Sequence, residues 1–96
     1  MNNSDKPIQI NDGIVCRPVD EDLIVLDNAN QKVHELNVSA AFVWRHCDGN
    51  HSIEAIASLL CEAFDVPIEK AMCDTIALIS ELAQKGLVKI VSNSNT

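Results

Sequence analysis

The sequence predicts an α+β domain in which an N-terminal three-stranded antiparallel sheet packs on three helices, and a short strand ends the chain. Three observations predict this class. Short apolar runs separated by turn-forming residues occupy the first third of the chain. After Asn37, apolar residues recur with the period of a helix instead. The chain has 96 residues, of which 47 % are hydrophobic, and this is enough for one modest core.

Three strands are predicted before the first helix. The first covers Ile14–Val19, the second covers residues 23–26 and the third covers Lys32–Leu36. Acidic residues separate the first two strands, and Asp27 and Asn28 begin the turn before the third. Asp and Asn favour such turns because they tolerate left-handed backbone conformations. Tight turns join only antiparallel strands, so the three strands form a meander.

Three helices and a last strand follow. Asn37 and Ser52 are good N-cap residues for the first two helices. The third helix is the longest; it begins at Pro67, where the missing N–H costs little, and ends before Gly86. A short strand is predicted at residues 87–91. Three helices followed by a β element are the arrangement of a winged-helix unit.

The two ends of the chain are expected to be disordered tails. Residues 1–12 and 92–96 are mostly polar, and chain termini of this kind are poorly ordered unless something holds them. The part between them, residues 13–91, is long enough for one core only. We therefore expect a single domain at 13–91 with a tail on each side.

The charge balance argues against two classes of partner. Lys and Arg number 7 against 14 for Asp and Glu, giving a formal net charge of −7. Nucleic acids and anionic membranes bind proteins mainly through Lys and Arg, so we expect neither as a partner. No apolar run reaches the roughly 18 residues of a membrane-spanning helix. The polar N-terminus also lacks the apolar core of a signal peptide, which predicts a cytoplasmic protein.

Catalytic and metal-binding motifs are not evident. The four cysteines contain no C-x-x-C pair, and we expect them to be small buried hydrophobic residues without disulfides. A zinc site formed by Cys47, His46 and His51 is a less favoured alternative because it lacks a fourth ligand. Neither a nucleophile motif nor a glycine-rich phosphate loop occurs. We therefore expect no enzyme activity and no cofactor.

The third helix carries two apolar stripes, although a surface helix usually has one. The first stripe is expected to dock the helix on the other two; it consists of Ile68, Met72, Ile76, Ile79 and Ala83. The second stripe is either buried as well or forms the floor of a groove; it consists of Ala71, Thr75, Leu78 and Leu82. The carboxylates of Asp74 and Glu81 would repel DNA, so the shape of a winged-helix DNA reader lacks the matching charge.

The strand at Lys32–Leu36 is the last of its meander and could form an edge of the sheet. Edge strands expose unpaired N–H and C=O groups, which a protein must either protect or use. Lys32 and Glu35 could be protective charges. Alternatively, the edge accepts an extended peptide as an additional strand, with the second stripe of the third helix beside it.

Residues 33–44, which read V-H-E-L-N-V-S-A-A-F-V-W, resemble the segment that joins strand to helix in the PqqD family. Further matches follow the family order at Leu26-Asp27, Asp48-Gly49, Phe64-Asp65-Val66 and residues 82–88. The likeness extends over about residues 13–90. It implies a non-catalytic domain that binds the leader of a ribosomally made precursor peptide. The leader would add as a strand beside the third strand and against the third helix. The domain would present the precursor to a modifying enzyme, which in pyrroloquinoline-quinone (PQQ) biosynthesis is a radical S-adenosylmethionine enzyme.

The resemblance assigns a peptide-binding role to residues that the periodicity places on the edge strand and the third helix. On the strand they are Lys32, Val33, His34, Glu35 and Leu36. On the helix they are Ala71, Asp74, Thr75, Leu78 and Leu82. Glu35 and Asp74 would favour leaders that carry Lys or Arg. His34 stands where the family commonly has an aromatic residue, so the pathway stays open between PQQ, lasso-peptide and other systems. A winged-helix DNA-binding regulator and a structural subunit of an enzyme complex remain the alternative functions.

Overall fold

The computed structural model describes residues 2–91. The strands are β1 (Lys6–Gln9), β2 (Ile14–Val19), β3 (Asp22–Asp27), β4 (Lys32–Leu36) and β5 (Val88–Val91). The helices are α1 (Val38–Arg45), α2 (Ile53–Phe64) and α3 (Ile68–Gln84). This confirms the predicted α+β class, with antiparallel strands before three helices and a short strand after them.

The three-stranded sheet has the order β2-β3-β4, and both of its pairings are antiparallel. β3 lies in the centre, and alternate residues along it are buried because its inner face packs on the helices. The buried carboxylate of Asp27 closes the turn to β4. It accepts hydrogen bonds from the backbone N–H of Asn30 at 3.2 Å and from the Asn30 side chain at 2.9 Å.

A strand that the sequence analysis missed lies near the N-terminus. Residues 1–12 were expected to be a disordered tail, but Lys6–Gln9 form β1 and pair with β5 in a second, two-stranded sheet. The other side of β1 bonds to the loop after α1, where the Gly49 N–H donates to the Pro7 carbonyl at 3.0 Å. These partners are far away in the chain, so no local pattern signals the strand. The tail predicted at 92–96 lies outside the described residues.

The helix starts agree with the predicted caps. The Asn37 side chain accepts a hydrogen bond from the Ala40 N–H at 2.9 Å, and the Ser52 side chain accepts one from the Ala55 N–H at 3.0 Å. Each cap thereby satisfies a backbone N–H that has no partner inside the helix. The Asn37 cap also fixes the point at which the chain leaves β4 and enters α1.

The core lies between the three helices and the inner face of β3 and β4. Trp44 is buried in it, and its indole N–H donates to the backbone carbonyl of Leu87 at 3.1 Å. This bond links α1 to the segment that leads into β5. The remaining fully buried side chains of the core are mostly aliphatic; they include Val25, Val43, Ile53, Ile56 and Ile79.

Helix α3 packs through residues of both predicted stripes, because Ile79 of the first stripe is completely buried, as is most of the second stripe. Ile68 and Ile76, which were expected to dock the helix, are 43 % and 36 % exposed. The second stripe was left open between the core and a groove floor; Ala71 and Thr75 are completely buried in the core, whereas Leu78 is only partly buried. The small side chains of Ala71 and Thr75 let neighbouring elements approach α3 closely at these two positions. Apolar periodicity could not distinguish the stripes because both are apolar.

Candidate functional site

Strand β4 forms one edge of the three-stranded sheet. It pairs with β3 on one side, and no other strand among residues 2–91 pairs with its second side. Val33 in the middle of this strand is 68 % exposed. A row of backbone N–H and C=O groups along this edge is therefore available to another extended chain.

The side chains of β4 alternate between two environments. Leu36 is buried on the helix side, opposite Leu23 of β3. Val33 and Glu35 lie on the opposite face and are exposed. His34 points to the same side as Leu36 and is partly buried. A chain added to β4 would have the same alternation, so every second side chain would face the helices.

Two adjoining hollows form a groove between the end of β4, the start of α1 and helix α3. The larger has a volume of about 280 Å³ and the smaller about 210 Å³. Asn37 and Leu78 line both hollows, so the two lie side by side. The smaller is also lined by Ser39, Asp74 and Ala77, and the larger by Asp22, Glu35, Leu36, Ala40, Glu81 and Lys85.

The groove combines an apolar floor with acidic walls. Leu78 is partly buried and packs against the core, while its remaining surface faces both hollows. The carboxylate of Asp74 pairs with Lys70 at 3.0 Å, and that of Glu81 is 4.0 Å from Lys85. These ion pairs are largely solvated and therefore hold their partners only weakly.

The structure corrects part of the predicted binding face on α3. Ala71, Thr75 and Leu82 are 0 %, 0 % and 1 % exposed, so they lie in the core and offer no surface to a peptide. Asp74 and Leu78 do line the groove. Seven further lining residues were not predicted: Asp22, Asn37, Ser39, Ala40, Ala77, Glu81 and Lys85. Of these, Asn37 carried a usable signal, because an N-cap directly after an edge strand must lie where strand and helix meet.

Two buried polar side-chain atoms have no hydrogen-bond partner within residues 2–91, and both belong to residues predicted for the site. They are Nε2 of His34 and Oγ1 of Thr75. Buried polar groups without partners are uncommon, because each costs about 1–3 kcal/mol. His34 is on the edge strand itself, whereas Thr75 is on α3 and is completely buried.

The predicted alternative of a zinc site has no geometric basis in the part of the chain that is described. No group of three or more His, Cys, Asp or Glu side chains within residues 2–91 is placed to hold a metal ion. His51 Nδ1 instead pairs with Asp48 at 2.9 Å. A backbone hydrogen bond from Asn50, together with His51, lowers the pKa of Asp48 to about 2.

The cysteines differ from the expectation that all are buried. Cys16 and Cys73 are exposed, Cys61 is partly buried, and only Cys47 is fully buried. Burial raises the pKa of the Cys47 thiol to about 12, and its S–H donates to the Val43 carbonyl at 3.2 Å. A thiol that stays protonated in this way is a poor nucleophile and a poor metal ligand.

Residues 22–88 match the family described as coenzyme PQQ synthesis protein D (PqqD). The match covers more than half of the chain, so the protein belongs to the PqqD family. This confirms the resemblance found in the sequence. No curated protein matches the chain.

Two solved structures have the same fold. TbiB1 in complex with the TbiA(beta) leader peptide is 19 % identical, with a TM-score of 0.75 over 90 % of this chain and 100 % of that one. Lasso peptide synthetase B1 complexed with the leader peptide is 23 % identical, with a TM-score of 0.74 over 88 % and 98 %. At these identities the likeness establishes the fold alone. In the described part of this chain, no helix has both the length and the apolar character to cross a membrane.

Proposed function

We propose that this protein is a non-catalytic recognition domain that binds the leader of a ribosomally made precursor peptide. The leader adds to β4 as a fourth strand, and the domain presents the rest of the precursor to a modifying enzyme. The observation that carries the proposal is the unpaired outer side of β4 next to a groove floored by Leu78. An edge of this kind supplies main-chain affinity, and the groove beside it supplies selectivity.

The exposure of β4 supports this use of the edge. An edge strand without a function is normally shortened, covered or kept charged. β4 has charges at Lys32 and Glu35, but its centre carries the exposed Val33 and an unpartnered imidazole nitrogen on His34. An incoming strand would cover the exposed backbone on both sides of these residues.

The family and the two solved structures of the same fold also support leader-peptide binding. The two solved proteins that share this fold were each determined with a leader peptide bound. The family takes its name from PQQ synthesis, in which the partner enzyme is of the radical S-adenosylmethionine type. We propose an enzyme of this or another peptide-modifying class as the partner here, in a PQQ, lasso-peptide or related pathway of the cytoplasm.

The observed charges disfavour the alternative of a DNA-binding regulator. Helix α3, which would enter the major groove, exposes Glu69 and Glu81 and a partly exposed Asp74, against Lys70 and Lys85. Phosphate contacts need clustered Lys and Arg, and this helix does not supply them.

Nuclear magnetic resonance can test the proposal with peptides selected on the domain from a random peptide library displayed on phage. Addition of such a peptide should shift the backbone amide signals of β4 and of the Asp74–Glu81 side of α3. The amides of β2, which forms the opposite edge of the sheet, should not move. Peptide-induced shifts confined to β2, or to the face of α3 that carries Ile76, would refute strand addition at β4.

A further inference from the structure

Helix α3 presents a regular pattern to the groove. Asp74, Leu78 and Glu81 are spaced i, i+4 and i+7, which places their side chains in one row on one side of the helix. Asp74 lines the smaller hollow, Glu81 lines the larger hollow and Leu78 lines both. On its helical side, the groove therefore presents an apolar residue with a carboxylate on each side of it.

The negative charge of this row is only partly neutralised inside the groove. Lys70, the partner of Asp74, is not among the residues that line either hollow, and its side chain is 60 % exposed. Lys85 lines the larger hollow but remains 4.0 Å from Glu81. Asp22 adds a third carboxylate on the strand side of the larger hollow.

Glu35, which was predicted for the site, lines the larger hollow on its strand side. It pairs with Ile24 across the sheet, and strand alternation places its side chain on the face opposite Leu36. The acidic residues that line the two hollows are therefore Asp74 and Glu81 on α3 and Asp22 and Glu35 on the strand side, and only those of α3 form a row along a helix.

The spacing of the row suits an extended peptide. Asp74 and Glu81 are seven residues apart, which is about 10 Å along a helix axis. Side chains on one face of a strand repeat about every 7 Å, so a peptide side chain seated on Leu78 has same-face neighbours near both carboxylates. A Lys or Arg at these positions could lay its aliphatic stem along the apolar floor and place its charged end at the carboxylate.

We propose that the groove selects leader segments in which an apolar side chain is flanked on both sides by Lys or Arg, with Asp74 and Glu81 as the residues that determine this preference. The inference rests on the proposed function. Without an apolar groove beside them, the carboxylates of Asp74 and Glu81 would be an ordinary solvated acidic patch. They become part of a binding site because they adjoin Leu78 in hollows that open beside the free edge of β4.

Phage display with a random peptide library tests the proposal. The library is selected separately on the original domain, on the double variant Asp74→Lys/Glu81→Lys, and on a control, Asp12→Lys/Glu62→Lys. Both control positions are exposed and line neither hollow, and the control changes net charge by the same amount. Circular dichroism checks that all three proteins are folded.

The original domain and the control should enrich Lys and Arg beside an apolar residue, and the groove variant should enrich Asp and Glu there. A peptide selected on the original domain should bind the groove variant about 10-fold more weakly at low salt.

Equal basic enrichment on the groove variant would overturn the inference, because overall charge would then explain the preference. Enrichment of peptides without basic flanks by the original domain would also overturn it but leave the proposed function standing. Failure of the folded original domain to enrich any peptide would overturn both.

Discussion

Strands β2 and β4 form the two outer edges of one three-stranded sheet, but their surroundings differ. β4 borders the groove against α3, and its inward-facing Leu36 is buried. On β2, by contrast, Cys16 and Pro18 are exposed although their register with Val25 and Leu23 places them on the inner face. Pro18 also removes a backbone N–H from β2, which is a common way to protect an edge. Under the proposed function, β4 and not β2 binds the peptide because, of the two, only β4 borders the groove against α3.

The largest expected effect on peptide affinity comes from replacing Leu78, the apolar floor of the groove. Leu78→Asp places a charge under the apolar side chain of the peptide, and the loss of a central apolar anchor weakens binding by about 2 kcal/mol or more, which is roughly 30-fold. Fluorescence anisotropy with a labelled, phage-selected peptide measures the change.

The matched control is Ile76→Asp, which introduces the same group on an exposed part of α3 that lines neither hollow. Its affinity should stay within about twofold of the original. A folded Leu78→Asp domain that binds as tightly as the control would show that β4 binds peptides without a contribution from Leu78.

A smaller effect is expected from Thr75→Val, which tests whether Thr75 belongs to the core rather than to the groove. The substitution removes a buried hydroxyl that has no partner in the described structure and keeps the shape of the side chain. It should raise the free energy of unfolding by about 1 kcal/mol and leave peptide affinity unchanged. Thr75→Ser keeps the hydroxyl, loses a methyl group and should destabilise the domain. A loss of peptide affinity in a stabilised Thr75→Val domain would show that Thr75 belongs to the peptide-binding face after all.

A still smaller effect is expected on amide hydrogen exchange, which should differ between β4 and β2 at low pH. Hydrogen bonds from the Asn30 side chain lower the pKa of Asp27, which closes the β3–β4 turn. The ionised form therefore stabilises the fold above the ordinary pKa of 3.8, and this contribution disappears as pH falls through the lowered value. Amide hydrogen exchange in β4 should then accelerate more than exchange in β2. Asp27→Asn should flatten this pH dependence, and an unchanged difference between the strands in that variant would contradict the role of Asp27.

The sequence predicted those features that depend on neighbouring residues. The caps at Asn37 and Ser52 and the meander of β2 to β4 follow from local turn and capping chemistry. The strand β1 could not be predicted in this way because its partners are the loop around Gly49 and the distant β5. Which residues of α3 enter the core could not be predicted, because both of its stripes are apolar and only tertiary packing decides among their members. The groove joins Asp22, Asn37 and Glu81 from three separate elements, so its lining depends on the tertiary structure.

The smallest expected effect is the restoration of a backbone donor to β2. Pro18→Thr returns the missing N–H and favours strand structure, so β2 then resembles β4 in its backbone. We still expect one bound peptide per domain and an affinity within about twofold of the original, because no helix wall adjoins β2. Isothermal titration calorimetry gives the stoichiometry, and amide shifts locate the peptide. A second peptide bound along β2 in this variant would mean that the proline, rather than the missing wall, had prevented binding at that edge.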